Sequence, residues 1–525
     1  MMVPWSDLVP IPDQYKKAGC LVEDTALRGI TLEKLEELLD LIRQVLDAGY
    51  EITDRFSGET VNLDSINLYH IDEHFVKPLT EKEQCSFAEL VSTERVTKPP
   101  IFMVSHYWGT SLVDTIRMLK LHRHASFSIW DARTERWKCR RNRTYSVWIC
   151  AFSNRQHSLD QEGIDTPTYM QTPFARVISS EHCLGTVMLL DEIKATPLQR
   201  SWCIFEAFVS IAKTTHKRKR HRLDIATIIP EGSYRSGNNR SNLRCAGILS
   251  ETHLLSFSGG DRLGFRTTDH PDPRNFPDDE GTRICKPGSF PVEVALRGMQ
   301  VNILDAQATQ PVDQERIRMW VGSNANQVNQ TLREKFLSVA LQGSCKTCDP
   351  TILTRTLELA CSRFSRQVVI DTLHDLQVAV ILFNKRNEAD LESAQCTKAL
   401  VDIGWNPNKP MKPEMLLGST LCMAIRREQY ETTRVLLDAG ADPNILRPSE
   451  LFLIVCATLG DDFPQEIETI LCEKVGILKK CVVGCLFGCL PCTMCCMFCG
   501  HYCSLLNPCY ARNNFRSLIR SYDDD

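Results

Sequence analysis

The chain predicts an α/β fold with a parallel sheet flanked by helices, followed by a helical repeat segment and a Cys-rich tail. Three observations predict it. Apolar runs of strand length at 101–104, 145–152 and 185–190 alternate with helix-patterned segments, as in a sheet covered on both faces. Gly404-Trp405-Asn406-Pro407-Asn408 returns as Gly440-Ala441-Asp442-Pro443-Asn444, which marks an internal repeat. Of 24 cysteines, nine fall in the last stretch, so the end of the chain has chemistry of its own.

At 525 residues the chain is too long for one core and predicts about three domains. A net charge of −4 carries no polyanion-binding signature, so nucleic acid is not an expected partner. Residues 1–14 carry Pro4, Asp7, Pro10 and Asp13 and lack a secretory apolar region, which predicts an intracellular, cytoplasmic protein. Its cysteines are then reduced thiols, metal ligands or lipid attachment sites.

Residues 1–95 read as a helical and irregular lead. Thr31 caps a helix whose Leu32, Leu35, Leu38, Leu39, Ile42, Val45 and Leu46 form one apolar stripe, and Gly49 closes it. Pro99-Pro100 borders the α/β unit, 96–330. Its first strand leads into Ser105-His106-Tyr107-Trp108-Gly109 and a helix pattern in Val113, Ile116, Met118, Leu119 and Leu121. The second leads into Ser153-Asn154-Arg155-Gln156-His157. The third follows a helix at 174–180 and leads through Asp191 to the stretch Gln199-Arg200-Ser201-Trp202-Cys203-Ile204-Phe205-Glu206, which opens another helix. A Gly-, Ser- and Pro-rich insertion spans about 232–287, then 292–303 alternates like a strand and 311–321 reads as a helix.

Ligands of such sheets sit beyond the carboxyl ends of the strands. Ser105, His106, Trp108, Asn154, Gln156, His157 and Asp191 all fall there, which makes them candidate ligand-binding residues. Trp202 and Glu206 lie one turn apart on one helix face, so the ring can stack on a flat ligand beside the acid. The plain alternative, a packed Trp and a solvated or capped acid, stays open. With no Gly-rich dinucleotide fingerprint near these strands, a redox dehydrogenase is disfavoured.

Ser201-Trp202-Cys203-Ile204-Phe205-Glu206 resembles the Ser-x-Trp-Cys-x-x-Glu signature of Toll/interleukin-receptor (TIR) domains. Ser105-His106-x-Trp108-Gly109 and Asn154-x-Gln156 are similar to the heterokaryon-incompatibility-type relatives of that family in algae and protists. The resemblance covers roughly 102–211 and implies a TIR/flavodoxin-like parallel sheet. It also implies self-association and, in members that cleave NAD, catalysis by the glutamate that matches Glu206. A carboxylate there would stabilise the oxocarbenium-like state of N-glycosidic cleavage, with Trp202 or Trp108 holding a ring. The chain departs from the signature in that its serine abuts the tryptophan and Arg200 stands where the family's serine would. In addition, 127–144 is a basic, Trp-bearing segment in place of the family's long loop. NAD is thus a candidate substrate, and no resident cofactor is implied.

The basic run from Lys213 to Arg222 reads as a phosphate-binding or nuclear-import patch or as a solvated helix end. From Leu332 the pattern is helical. Thr420-Leu421-Cys422-Met423-Ala424 and Val435-Leu436-Leu437-Asp438-Ala439-Gly440 resemble an ankyrin repeat, with degenerate neighbours at 377–408 and 449–475. The segment 331–476 is then an ankyrin-like array, which implies a protein partner. In the tail, 477–525, Cys481, Cys485, Cys489, Cys492, Cys496, Cys499 and Cys503 step by three or four, and the run 481–510 lacks Asp, Glu, Lys and Arg. Acylation such as palmitoylation, with attachment to a membrane, fits this composition. A zinc module on Cys492-x-x-Cys495 and Cys496-x-x-Cys499, and a single membrane span, are the alternatives. Cys345-x-x-Cys348 is an isolated pair and predicts no metal site. The function these readings predict is signalling by a self-associating TIR-like domain joined to a partner-binding repeat array; the alternative is an NAD glycohydrolase that uses Glu206.

Overall fold

The computed structural model describes residues 4–16, 20–92, 98–131, 136–139, 144–159, 166, 168–191, 194–214, 221–229, 245–249, 290–382, 390–409 and 419–442. It divides into two units, Met1–Gly343 and Ser344–Asp525. In the first unit the apolar runs become the strands they predict. Four strands, β2 (Phe102–His106), β5 (Ser146–Trp148), β6 (Gly185–Leu190) and β7 (Arg222–Ile229), pair in parallel in the order β5-β2-β6-β7. Edge strands β1 (Ile30–Thr31) and β8 (Cys245–Leu249) run antiparallel to β5 and β7. All of β2 and β6 is buried, as a sheet covered on both faces requires.

The crossovers set the functional end. Helix α5 (Leu112–Phe127) follows β2, and a hairpin of β3 (Ser128–Asp131) and β4 (Arg136–Cys139) follows it. After β5 come α6 (Cys150–Ser153) and α7 (Pro173–Ser179), and after β6 comes α8 (Ser201–Thr214). On the α5 face Phe102 meets the His122 ring at 4.6 Å. On the opposite face Thr186 Oγ1 lies 2.6 Å from Ser210 Oγ of α8. The strand order reverses between β2 and β6, which makes the carboxyl ends of these two strands the topological switch point of the sheet, where such sheets bind ligands.

The described residues of the lead, 1–95, fall in this same unit. Helix α1 (Leu32–Asp47) is capped by Thr31 Oγ1, which accepts from Lys34 N at 3.4 Å. Its Leu35, Leu38 and Ile42 share one core with Phe102, Val104 and Val187, so the stripe docks on the α5 face of the sheet. Short helices α2 (Leu68–Ile71), α3 (Lys77–Thr80) and α4 (Phe87–Leu90) continue the packing. Buried Glu89 of α4 accepts from Val22 N at 2.6 Å and Arg155 Nη2 at 2.8 Å, with Arg28 Nε at 3.6 Å. The lead is thereby tied to the loop after β5.

Two further expectations change. The second strand ends at Trp148, because α6 begins where Phe152 N and Ser153 N turn back to Ile149 O. Residues 292–303 hold a helix, α9 (Val292–Gly298), whose Val294, Ala295 and Leu296 are buried. Helix α10 (Pro311–Val321) is as predicted, and α11 (Ala325–Thr347) contains the division between the units, which thus falls after 330.

The second unit is helical: α12 (Pro350–Arg363), α13 (Arg366–Asp375), α14 (Val378–Leu382), α15 (Asp390–Asp402), α16 (Thr420–Arg426) and α17 (Tyr430–Asp438). Helices α15 and α17 end alike. Gly404 and Gly440 adopt φ of +94° and +82°, and Trp405 N and Ala441 N return to Leu400 O and Leu436 O. Asn408 joins the two turns, donating to Gly440 O and accepting from Asp442 N, both at 2.8 Å. The sequence repeat is thus a structural repeat. Residues 443–525, with the candidate neighbour repeat and the tail cysteines, lie outside the described residues, as do 215–220 of the basic run and all of 232–287 except β8. Among the described residues no helix is long and apolar enough to cross a membrane, and no group of three His, Cys, Asp or Glu could hold a metal.

Candidate functional site

Glu206 sits on α8 against the carboxyl end of β2. Alternation along β2 sets Met103 and Ser105 on the α8 face, and Phe102, Val104 and His106 on the α5 face. Glu206 keeps partial exposure, yet burial pushes its carboxyl up to about 8, with Ser105 offsetting part of the rise. Ser105 is close without making a hydrogen bond of full geometry, since its Oγ has no partner. The neighbouring thiols feel the acid. Burial raises Cys150 to about 12 and Cys203 higher still, and the Glu206 charge adds to both. Trp108 closes the cluster by donating Nε1–H to Cys150 Sγ at 3.0 Å.

Of the candidate residues, Ser105, Trp108 and Glu206 therefore come together. His106 lies on the other side of β2. Its ring is buried, its Nε2 has no partner, and burial lowers its pKa to about 4, so the imidazole is neutral. Only its backbone reaches the α8 face, where His106 O accepts from Cys203 Sγ at 3.5 Å.

The other candidates make internal bonds. Asn154 Oδ1 accepts from Thr25 Oγ1 at 3.4 Å, and Gln156 Nε2 donates to Cys150 O at 2.9 Å and to Ala151 O at 3.1 Å. His157 Nε2 lies 3.2 Å from both Thr80 Oγ1 and Lys77 O. Asp191 accepts from Lys194 N at 2.7 Å and caps the turn into α8. Trp202 donates Nε1–H to Asp313 Oδ2 at 3.1 Å and meets Trp320 at 6.2 Å, so its ring serves the contact with α10.

Sequence reasoning missed Cys150, which lay inside a predicted strand, and Tyr107, Tyr69 and Arg200. Tyr107 belongs to the flagged loop, and its ring lies over Gly109, where a Cβ would stand 2.4 Å from it. Nothing in the spacing singles out Tyr69, which reaches the site from the N-terminal segment. More unpartnered buried atoms gather at this end of the sheet: Thr110 Oγ1, Ser111 Oγ, Thr115 Oγ1 and Ser201 Oγ. Buried hydroxyls without partners are uncommon. Comparison with family models, curated proteins and solved structures gives no match.

Proposed function

We propose that the α/β unit cleaves the nicotinamide–ribose bond of NAD, with Glu206 as the catalytic carboxyl, and that the helical repeats bind a protein partner, so that cleavage serves signalling. The observation that supports the reading is Glu206 itself, a partly exposed acid with a raised pKa beside Ser105, Cys150 and Trp108 at the switch point of the sheet. A cationic pyridinium ring beside this acid favours the carboxylate, so substrate binding draws the proton off. The bond from ribose C1′ to the ring nitrogen then breaks with its electron pair leaving on nicotinamide. The carboxylate stabilises the positive charge on the ribose. Water supplies oxygen to C1′ and releases a proton.

The test is nicotinamide release from NAD by the full chain. Glu206→Ala should abolish release while the circular dichroism spectrum stays unchanged. Because the carboxylate is the working form, kcat/KM of the wild type should rise with pH through about 8. A wild type that releases no nicotinamide at any protein concentration overturns the reading. For the repeats, the matched Gly404 and Gly440 turns support an array that presents a binding face.

A further inference from the structure

Two arginines from distant parts of the chain converge on one tyrosine beside the Glu206 cluster. Tyr69 of α2 has its ring 5.4 Å from Trp108 and 6.4 Å from Tyr107. The Arg55 guanidinium lies 4.7 Å from the Phe56 ring centre and 5.5 Å from that of Tyr69, and the Arg200 guanidinium lies 5.6 Å from that of Tyr107. Burial raises the pKa of the Tyr69 hydroxyl, while Arg200 and Arg55 both pull it down, so both charges act on one phenol.

The row is built, and it is not neutralised. Asp54 accepts from Phe56 N at 2.9 Å and Ser57 N at 2.7 Å and meets His70 Nε2 at 2.9 Å, which fixes the turn that carries Arg55. Arg200 donates to Thr309 Oγ1 at 2.7 Å. Among the described residues neither arginine has a carboxylate in ion-pair range. Phe56 stays 74% exposed, so a flat apolar surface stands next to an unpaired cation. Guanidiniums suit phosphate oxygens, and exposed rings suit a base.

We propose that this arginine and aromatic row is an outer subsite for a nucleoside diphosphate, with the two phosphates held between Arg55 and Arg200 and the Tyr69 hydroxyl donating to them. The proposal rests on the reading of the Glu206 cluster as a nucleotide site and extends it to residues of the N-terminal segment. Recognition there is by charge and stacking, separate from any chemistry at Glu206.

The experiment is isothermal titration of the full chain with ADP and with adenosine. ADP should bind at least about tenfold more tightly than adenosine, and Arg55→Ala and Arg200→Gln should each weaken ADP by about tenfold while leaving adenosine unchanged. Exposed Arg55 can be removed without disturbing the core, and a Phe56→Ala variant, weaker for both ligands, checks the stacking arm. Equal binding of ADP and adenosine, no ADP binding, or wild-type affinity in Arg55→Ala overturns the proposal. A change confined to the protein's mass or to co-purifying proteins on Arg55→Ala also overturns it, since the row is then a protein contact. ADP binding that depends on Arg55 in a chain that releases no nicotinamide keeps the subsite and removes only the cleavage reaction.

Discussion

Glu206 holds its proton to unusually high pH because the folded chain takes it away from water without supplying a cation in exchange. Its folded pKa of about 8 lies above the ordinary 4.5, so the folded state binds the proton more tightly than the unfolded state does. The stability this contributes is complete below 4.5 and is lost as pH rises through about 8. Thermal midpoints should therefore fall across that window in the wild type, and Glu206→Gln should flatten the profile. The neutral His106 acts in the opposite sense: with its pKa lowered to about 4, its contribution is present above 6.5 and is lost as pH falls through 4. The sequence showed Glu206 through its motif and Ser105 and Trp108 through their position after a strand. It misplaced His106, because the position of a residue after a strand does not say which face of the sheet its side chain takes. For Trp202 the same-face argument held only locally, since the residue that claims its indole, Asp313, lies far along the chain.

Loops and short helices decide how rigid the site is. Gly109 leaves room for the Tyr107 ring, so Gly109→Ala must displace that ring, with a stability change of about 1 kcal/mol or less because a side-chain end can move. Nucleotide titration of this variant should show weaker binding at nearly unchanged thermal midpoint. Glu89 is a different case. Replacing it by Ala leaves Arg28, itself only 2% exposed, without its carboxylate, and should cost about 3–5 kcal/mol in a denaturant titration. The stripe on α1 was legible in the sequence and told that the helix docks; it did not tell on what, because the core that Leu35 and Ile42 share with Phe102 and Val104 joins residues distant along the chain. Residues 292–303 read as a strand because Val292, Val294 and Leu296 alternate, and the helix won through burial of Val294, Ala295 and Leu296 together.

At the scale of the molecule, the repeat was legible because Gly404 and Gly440 occupy a backbone conformation that other residues avoid. What joins one repeat to the next was not, since Asn408 works through backbone groups of a turn whose sequence merely resembles its own. Asn408→Ala should destabilise the second unit by about 1–3 kcal/mol and speed hydrogen exchange at the Asp442 amide, which loses its acceptor. The first unit carries one more implication, at its outermost strand. Since β1 is two residues long, the flank of the sheet beyond β5 gives an incoming chain almost no ladder to extend. Among the described residues, that flank offers little for growth by adding strands and leaves helix surfaces and loops as the larger contact area for copies that assemble there.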